Sequence, residues 1–200
     1  MSTAVKKERP VGNALILCAI TLVAGLLLSF VNQLTIEPIA AAQLKAKAEA
    51  YTDVFPNAAS FEAVEGSEDL LTHSSEWAEG AGYAGGYVSD VMRAVDESGG
   101  TLGYVFSADS KNGYGGNITV ALGIDTSLTI TGFKPLAHSE TPGFGARCEE
   151  DTYRAQFPGK TSADELDGIS GATFTTNAIR QAVGAALTVA DELMNAEGGV

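Results

Sequence analysis

The chain is 200 residues long with 45% hydrophobic content, enough for one membrane segment plus one domain with its own core. A net charge of −13 makes it a poor partner for nucleic acid or for an anionic membrane surface. Its two cysteines, Cys18 inside an apolar run and Cys148 far downstream, exclude a disulfide framework, and repeats and low-complexity tracts are absent.

Residues 1–12 carry Lys6, Lys7 and Arg9, and Ala14 to Val31 then forms an uncharged run of apolar and small residues. As a helix, that run would span roughly 27 Å, long enough to cross a bilayer, so residues 13–34 are the predicted anchor. The next basic residue is Lys45. The positive-inside bias therefore puts residues 1–12 in the cytoplasm and the chain after the anchor, more acidic than the whole, outside. A cleavable signal peptide is the competing reading, because Ala40-Ala41-Ala42 offers small residues for cleavage. The apolar run exceeds a normal signal core and those alanines lie well beyond it, which favours an uncleaved anchor. Cys18, preceded by Leu17 and early in the run, does not form a lipoprotein cleavage box.

Thr35-Ile36-Glu37-Pro38 opens an alanine-rich stretch to Ala50 whose composition predicts a helix, stopped by Pro56. Phe61 to Gly86, rich in Gly, Ser and acids, predicts irregular chain in which Trp77 and Tyr83 fill local core rather than stack on a cofactor. Residues 35–85 thus read as an extracytoplasmic helix and irregular segment ahead of a domain over 86–200.

From Gly86 the period becomes two. Ile118, Val120, Leu122 and Ile124 alternate with Thr119, Ala121 and Gly123, and Asp125-Thr126-Ser127 connects to Leu128–Leu136, which is a hairpin signal. Gly86–Met92 and Thr101–Ser107 are two further strands about a turn at Gly99-Gly100. With a final helix, these elements argue an α+β domain built on a largely antiparallel sheet.

Two loops interrupt the strands. Gly113-Tyr114-Gly115-Gly116 alone reads as an inter-strand turn, although so little side chain would also let backbone approach a ligand, with Tyr114 offering a flat ring. His138-Ser139-Glu140-Thr141-Pro142-Gly143-Phe144-Gly145-Ala146 follows a hairpin strand, and Pro142 with Gly143 fits a tight turn. On extended chain His138 and Glu140 share a face, the spacing of an acid/base pair. No nucleophile motif accompanies them, and a lone His beside a Glu is more often structural. With only two histidines, metal ligation is not expected. Beside Glu149, Glu150 and Asp151 the Cys148 thiolate is disfavoured, which predicts an inert thiol.

Asp167-Gly168-Ile169-Ser170-Gly171-Ala172-Thr173-Phe174-Thr175-Thr176 runs into an amphipathic segment, Asn177 to Met194, with Ile179, Val183, Ala186, Leu187, Ala190 and Leu193 on one face. A hydroxyl cluster at a helix N-terminus, where backbone N–H groups lack partners and the dipole is positive, favours a phosphate; it equally suits an ordinary N-cap.

Asp167 to Thr175 resembles the flavinylation motif of the FMN-binding domains in membrane redox complexes, in which the last hydroxyl is esterified to FMN phosphate. By position that acceptor is Thr175. Glu140 to Ala146 is similar to the segment that lines the flavin in the same family, with Phe144 where Leu is common, and Gln156-Phe157-Pro158-Gly159-Lys160 is similar to its usual continuation. The order of anchor, Thr-Ile-Glu-Pro-Ile, strands, loop and motif resembles the membrane-anchored FMN subunits of Rnf electron transport complexes, and the related FMN-bearing component of the sodium-pumping NADH:quinone reductase.

The resemblance implies FMN covalently bound through its phosphate at Thr175. Asp167, Ser170, Gly171, Ala172, Thr173, Thr176, Glu140, Thr141, Pro142, Gly143, Gly145 and Tyr114 would form the surroundings. It also implies electron relay within an ion-translocating ferredoxin:NAD oxidoreductase, with the other Rnf subunits, a maturing flavin transferase and the lipid bilayer as partners. The chain alone would catalyse no complete reaction. A different class remains open, an extracytoplasmic sensory or binding module holding FMN reversibly.

Overall fold

A computed structural model describes residues 10–198. Lys6, Lys7 and Arg9, on which the predicted orientation rests, lie outside the described residues. The chain separates into two compact units, 1–45 and 46–200.

Helix α1 runs Pro10–Val54 without interruption, so the predicted anchor and the predicted alanine-rich helix are one element, with Pro38 inside it. It is long and apolar enough to cross a membrane, and its large side chains from Val11 to Leu44 are exposed. Strand β1 (Ser60–Ala63) and helix α2 (Ser67–Gly80) follow, then β2 (Gly86–Val95), β3 (Thr101–Gly113), β4 (Gly116–Asp125) and β5 (Ile130–Ala137). The five strands form one antiparallel meander in sequence order. Helix α3 (Asp151–Arg154) and helix α4 (Thr173–Gly198) complete the chain, with one-turn 3-10 segments at Gly145–Glu149 and Ala163–Glu165.

The α+β reading and the strands hold. The expected irregular run after Phe61 does not: it contains β1 and α2. Leu70, Leu71, Trp77 and Ala78 give α2 one apolar face. Thr72 Oγ1 donates to Glu68 O, and buried Ser74 accepts from Val88 N–H at 3.1 Å, tying the helix to β2. A Ser- and acid-rich composition hid that face, because propensity is a weak prior once packing decides.

Both sheet faces are covered. Tyr104, Phe106 and Ala108 of β3 and Ile118, Val120, Leu122 and Ile124 of β4 pack on α4 through Ile179, Ala182, Val183, Ala186 and Val189. The intervening Val105 and Ala121 face Ala50, Tyr51, Val54 and Phe55 at the end of α1. The small residues that alternate with the apolar ones on β4, Ala121 and Gly123, admit the helix end. Register partners Gly123 and Gly132 would each drive a Cβ into Val54 backbone, 2.6 Å from its O and Cα respectively, and Thr131 Oγ1 donates to Val54 O at 2.6 Å. Tyr51 Oη bonds Asp90 and Ser107 at 2.8 and 2.9 Å, with Lys47 on Asp90 at 2.7 Å. Trp77 and Tyr83 are half-buried against the main core, as expected.

Phe133 of β5 stacks on Phe157 at 3.8 Å with Tyr153 edge-on to both rings. Backbone pairing of Ile130 with Gly159 and Lys160, 2.8 Å each way, fixes the same segment. This sets the path of the chain between the Glu140 loop and the Asp167 motif.

Candidate functional site

Helix α4 begins at Thr173, four residues earlier than the amphipathic pattern indicated, so Thr173, Phe174, Thr175 and Thr176 form its first turn. Ala172 N–H donates to Ile169 O, and Gly171 turns the chain at φ 80°. The amides of that turn precede any intrahelical acceptor except Thr176 N–H, which reaches Ala172 O at 3.0 Å.

At this helix start lies a cavity of about 450 Å³, lined by Tyr114, Glu140, Thr141, Phe144, Gly145, Gly171, Ala172, Thr173, Phe174 and Thr175. Three loops that are distant in sequence therefore meet there. Its rim is aromatic: Tyr114, Phe144 and Phe174 are 73%, 55% and 66% exposed, and among the described residues of the 46–200 unit they are the large hydrophobics left exposed. The Tyr114 and Phe174 rings lie 6.5 Å apart. Apolar surface confined to one pocket mouth makes this the candidate binding site.

The floor is polar. Glu140 is buried, its Oε1 accepts Gly115 N–H at 2.9 Å, and its Oε2 accepts the hydroxyl of Thr175, itself 1% exposed. Three glycines make room for this carboxylate. A Cβ on Gly113 would stand 2.8 Å from Glu140 Oε1, one on Gly115 would strike the Ser139 carbonyl, and one on Gly145 would strike both Glu140 Oε2 and Thr175 Oγ1. The glycines of the β3–β4 turn thus serve close approach to the Glu140 loop. Glu140 N–H donates to His138 Nδ1 at 3.2 Å, which leaves His138 Nε2 to donate to Glu149 Oε1 at 3.0 Å. His138 and Glu140 do not meet side chain to side chain as an acid/base pair; the imidazole holds the loop backbone.

The remaining sequence-derived site residues lie elsewhere. Asp167 and Ser170 line a second hollow of about 280 Å³ with Arg147, Glu150, Thr152, Tyr153 and Gln156, on residues 167–170 of the motif. Asp167 N–H donates to Gln156 Oε1 at 2.6 Å. Thr176 is buried with its hydroxyl accepting Ile169 N–H at 2.9 Å and donating to Ala172 O at 3.0 Å. Pro142 and Gly143 line neither hollow; Gly143 takes φ 78° and nothing stands within 4 Å of where its Cβ would be, so it shapes the turn. Phe174 was not singled out by sequence reasoning, although an aromatic between two motif threonines was the available signal. Cys148 is buried, and burial first, then Glu149 and Glu140, pushes its thiol from 9.0 up to about 12, so it stays protonated.

A cavity within the roughly 300–1,000 Å³ of ligand sites, apolar at its mouth and opening on a helix N-terminus, fits a molecule with a flat ring system and a phosphate. Residues 113–188 match the FMN-binding domain family and residues 9–54 match the RnfG N-terminal region. Fold and site thus define a membrane-associated chain bearing an FMN-binding domain. The G subunit of the ion-translocating oxidoreductase complex of Methanosarcina acetivorans is 33% identical over 84% of this chain and 87% of its own length. The G subunit of the Na(+)-translocating ferredoxin:NAD(+) oxidoreductase complex of Acetobacterium woodii is 30% identical over 87% and 82%. Shewanella oneidensis NqrC, a solved structure, aligns at TM-score 0.49 and 18% identity over 74% of this chain and 75% of that one. The chain belongs to the RnfG family of Rnf-type complexes.

Proposed function

We propose that this chain carries FMN in phosphoester linkage to Thr175 and relays electrons within an Rnf-type ion-translocating ferredoxin:NAD oxidoreductase. On this reading α1 anchors it in the lipid bilayer, the N-terminus is cytoplasmic and the FMN domain lies outside. Its partners are the other subunits of the complex and, during maturation, a flavin transferase. The observation that carries the attachment is the pairing of Thr175 Oγ1 with Glu140 on the cavity floor, while Thr176, the rival acceptor one residue on, spends its hydroxyl on two backbone groups.

Bound FMN supplies the redox chemistry. This chain's residues orient and enclose it: the first turn of α4 faces a phosphate with unpaired N–H groups and positive dipole, worth about 0.3–1 kcal/mol. Tyr114, Phe144 and Phe174 offer ring faces where a flat heterocycle would leave water. Residues Asp167 and Ser170, assigned to the flavin surroundings from resemblance, are better read as support for the motif loop.

The test is coexpression of Thr175→Ala and Thr176→Ala separately with a flavin transferase, followed by intact mass and the tryptic peptide ending at Arg180. The FMN increment should vanish from the first variant alone. Its retention there overturns the attachment. Protease accessibility of the domain in spheroplasts tests orientation, and protection would reverse it.

A further inference from the structure

We propose that Glu140 is the base of the chain's own modification, taking the Thr175 hydroxyl proton as that oxygen is joined to phosphorus. The inference rests on Thr175 being the acceptor. A threonine hydroxyl is a weak nucleophile near neutral pH and needs an adjacent base to attack phosphorus. Of the motif's hydroxyls, Thr175 is the one among the described residues that donates to a carboxylate. Ser170 and Thr173 have no such partner, and Thr176 donates to a carbonyl.

Glu140 is positioned for that task from three sides. Its N–H is held by His138, its Oε1 by Gly115 N–H, and its Oε2 is left to face Thr175 Oγ1. Both the carboxylate and the hydroxyl are buried, and the Gly145 backbone, itself part of the cavity lining, packs against both. Burial limits the access of water to the base, and Thr175 borders the cavity that Glu140 also lines.

The donor must contain FMN with a leaving group on its phosphate, which a flavin adenine dinucleotide supplies. In the step, Thr175 Oγ1 forms a bond to the phosphorus on the riboflavin side, the anhydride P–O bond breaks and AMP leaves. The hydroxyl proton passes to Glu140 Oε2. No electrons are exchanged, and charge building on the transferring group meets the N-terminus of α4.

The experiment uses the full-length apo chain in detergent with purified flavin transferase and flavin adenine dinucleotide, following the FMN mass increment with time. Glu140→Gln keeps the shape and removes the base. Its turnover should fall by about 100-fold or more, with the apparent KM for the dinucleotide little changed. A Glu140→Gln rate within threefold of the wild type overturns the proposal, the base then belonging to the transferase. Thr175→Ala is run in parallel. An increment on that variant sinks the attachment reading itself, whereas loss there beside a normal Glu140→Gln rate sinks the base alone. Should the Gln variant lose its cooperative melt, Glu140→Asp decides, because it keeps the charge but withdraws it by one methylene. Reduced turnover at similar KM supports the proposal, and a wild-type rate overturns it.

Discussion

The two hollows along the Asp167–Thr176 segment are made of opposite materials. The one over Thr175 has an aromatic mouth, glycine walls and a single buried carboxylate on its floor. The one over Asp167 and Ser170 is lined by Arg147, Glu150, Thr152 and Gln156, with Arg147 paired to Glu150 at 3.3 Å and Gln156 bonded to Asp167 N–H. A contiguous motif is therefore two devices. Its second half presents a hydroxyl at a helix start, and its first half is held in place from behind. The turn at Gly171 is where one gives way to the other.

The largest expected effect that separates the two is Gly145→Val. Its side chain must displace Glu140 Oε2 and Thr175 Oγ1, so overpacking of about 1–3 kcal/mol should appear in urea unfolding together with loss of the FMN increment. Gly143→Ala, two residues earlier, meets no atom and should cost only about 1 kcal/mol of backbone strain with the increment kept. Equal behaviour of the two would break the distinction between cradle and turn.

Thr176→Val comes next. It strands buried Ile169 N–H, a loss of about 1–3 kcal/mol by chemical denaturation, while mass spectrometry should still find FMN on Thr175. A stable variant lacking the increment would reverse the roles of the two threonines.

Phe174→Ala should change stability by less than about 0.5 kcal/mol, because the ring is exposed, yet shift the visible spectrum of the bound flavin. An unchanged spectrum would remove Phe174 from the ring contact. The smallest effect is expected of Arg147→Ala in the second hollow, where an exposed pair contributes little and the increment and spectrum should match the wild type.

Alkaline pH gives an independent check on the packing behind the loop. The Cys148 thiol is held near 12 in the folded chain against 9.0 when free, so above about pH 9 the unfolded chain releases a proton that the folded one keeps. Stability should fall as pH rises from 9 toward 12, and Cys148→Ala should flatten that slope. The sign follows from the folded state binding more protons. A thiol that reacts rapidly with a maleimide in the native protein at pH 8 would contradict this burial.

Legibility in the sequence tracked how local each determinant is. The strands from Gly86 to Ala137 were readable because alternation is a property of neighbouring residues, and the apolar run of α1 because bilayer length is a count. Helix α2 was not, since its apolar face depends on β2 being there to cover it. The start of α4 was set late by pattern, because Thr173 to Thr176 are hydroxyl-rich and their helical turn is decided by Thr176 bonding Ile169 and Ala172.

The sequence by itself determined the antiparallel sheet, the membrane-compatible helix and the glycine- and hydroxyl-rich segments from which the site is made. Tertiary structure decided how those segments are brought together. Glu140 and Thr175 stand 35 residues apart, and the glycine turn at Gly113–Gly116 makes sense only once Glu140 is seen against it. Pattern and propensity act over a few residues, but the pairing of a buried carboxylate with one hydroxyl among four depends on three loops converging at one helix end.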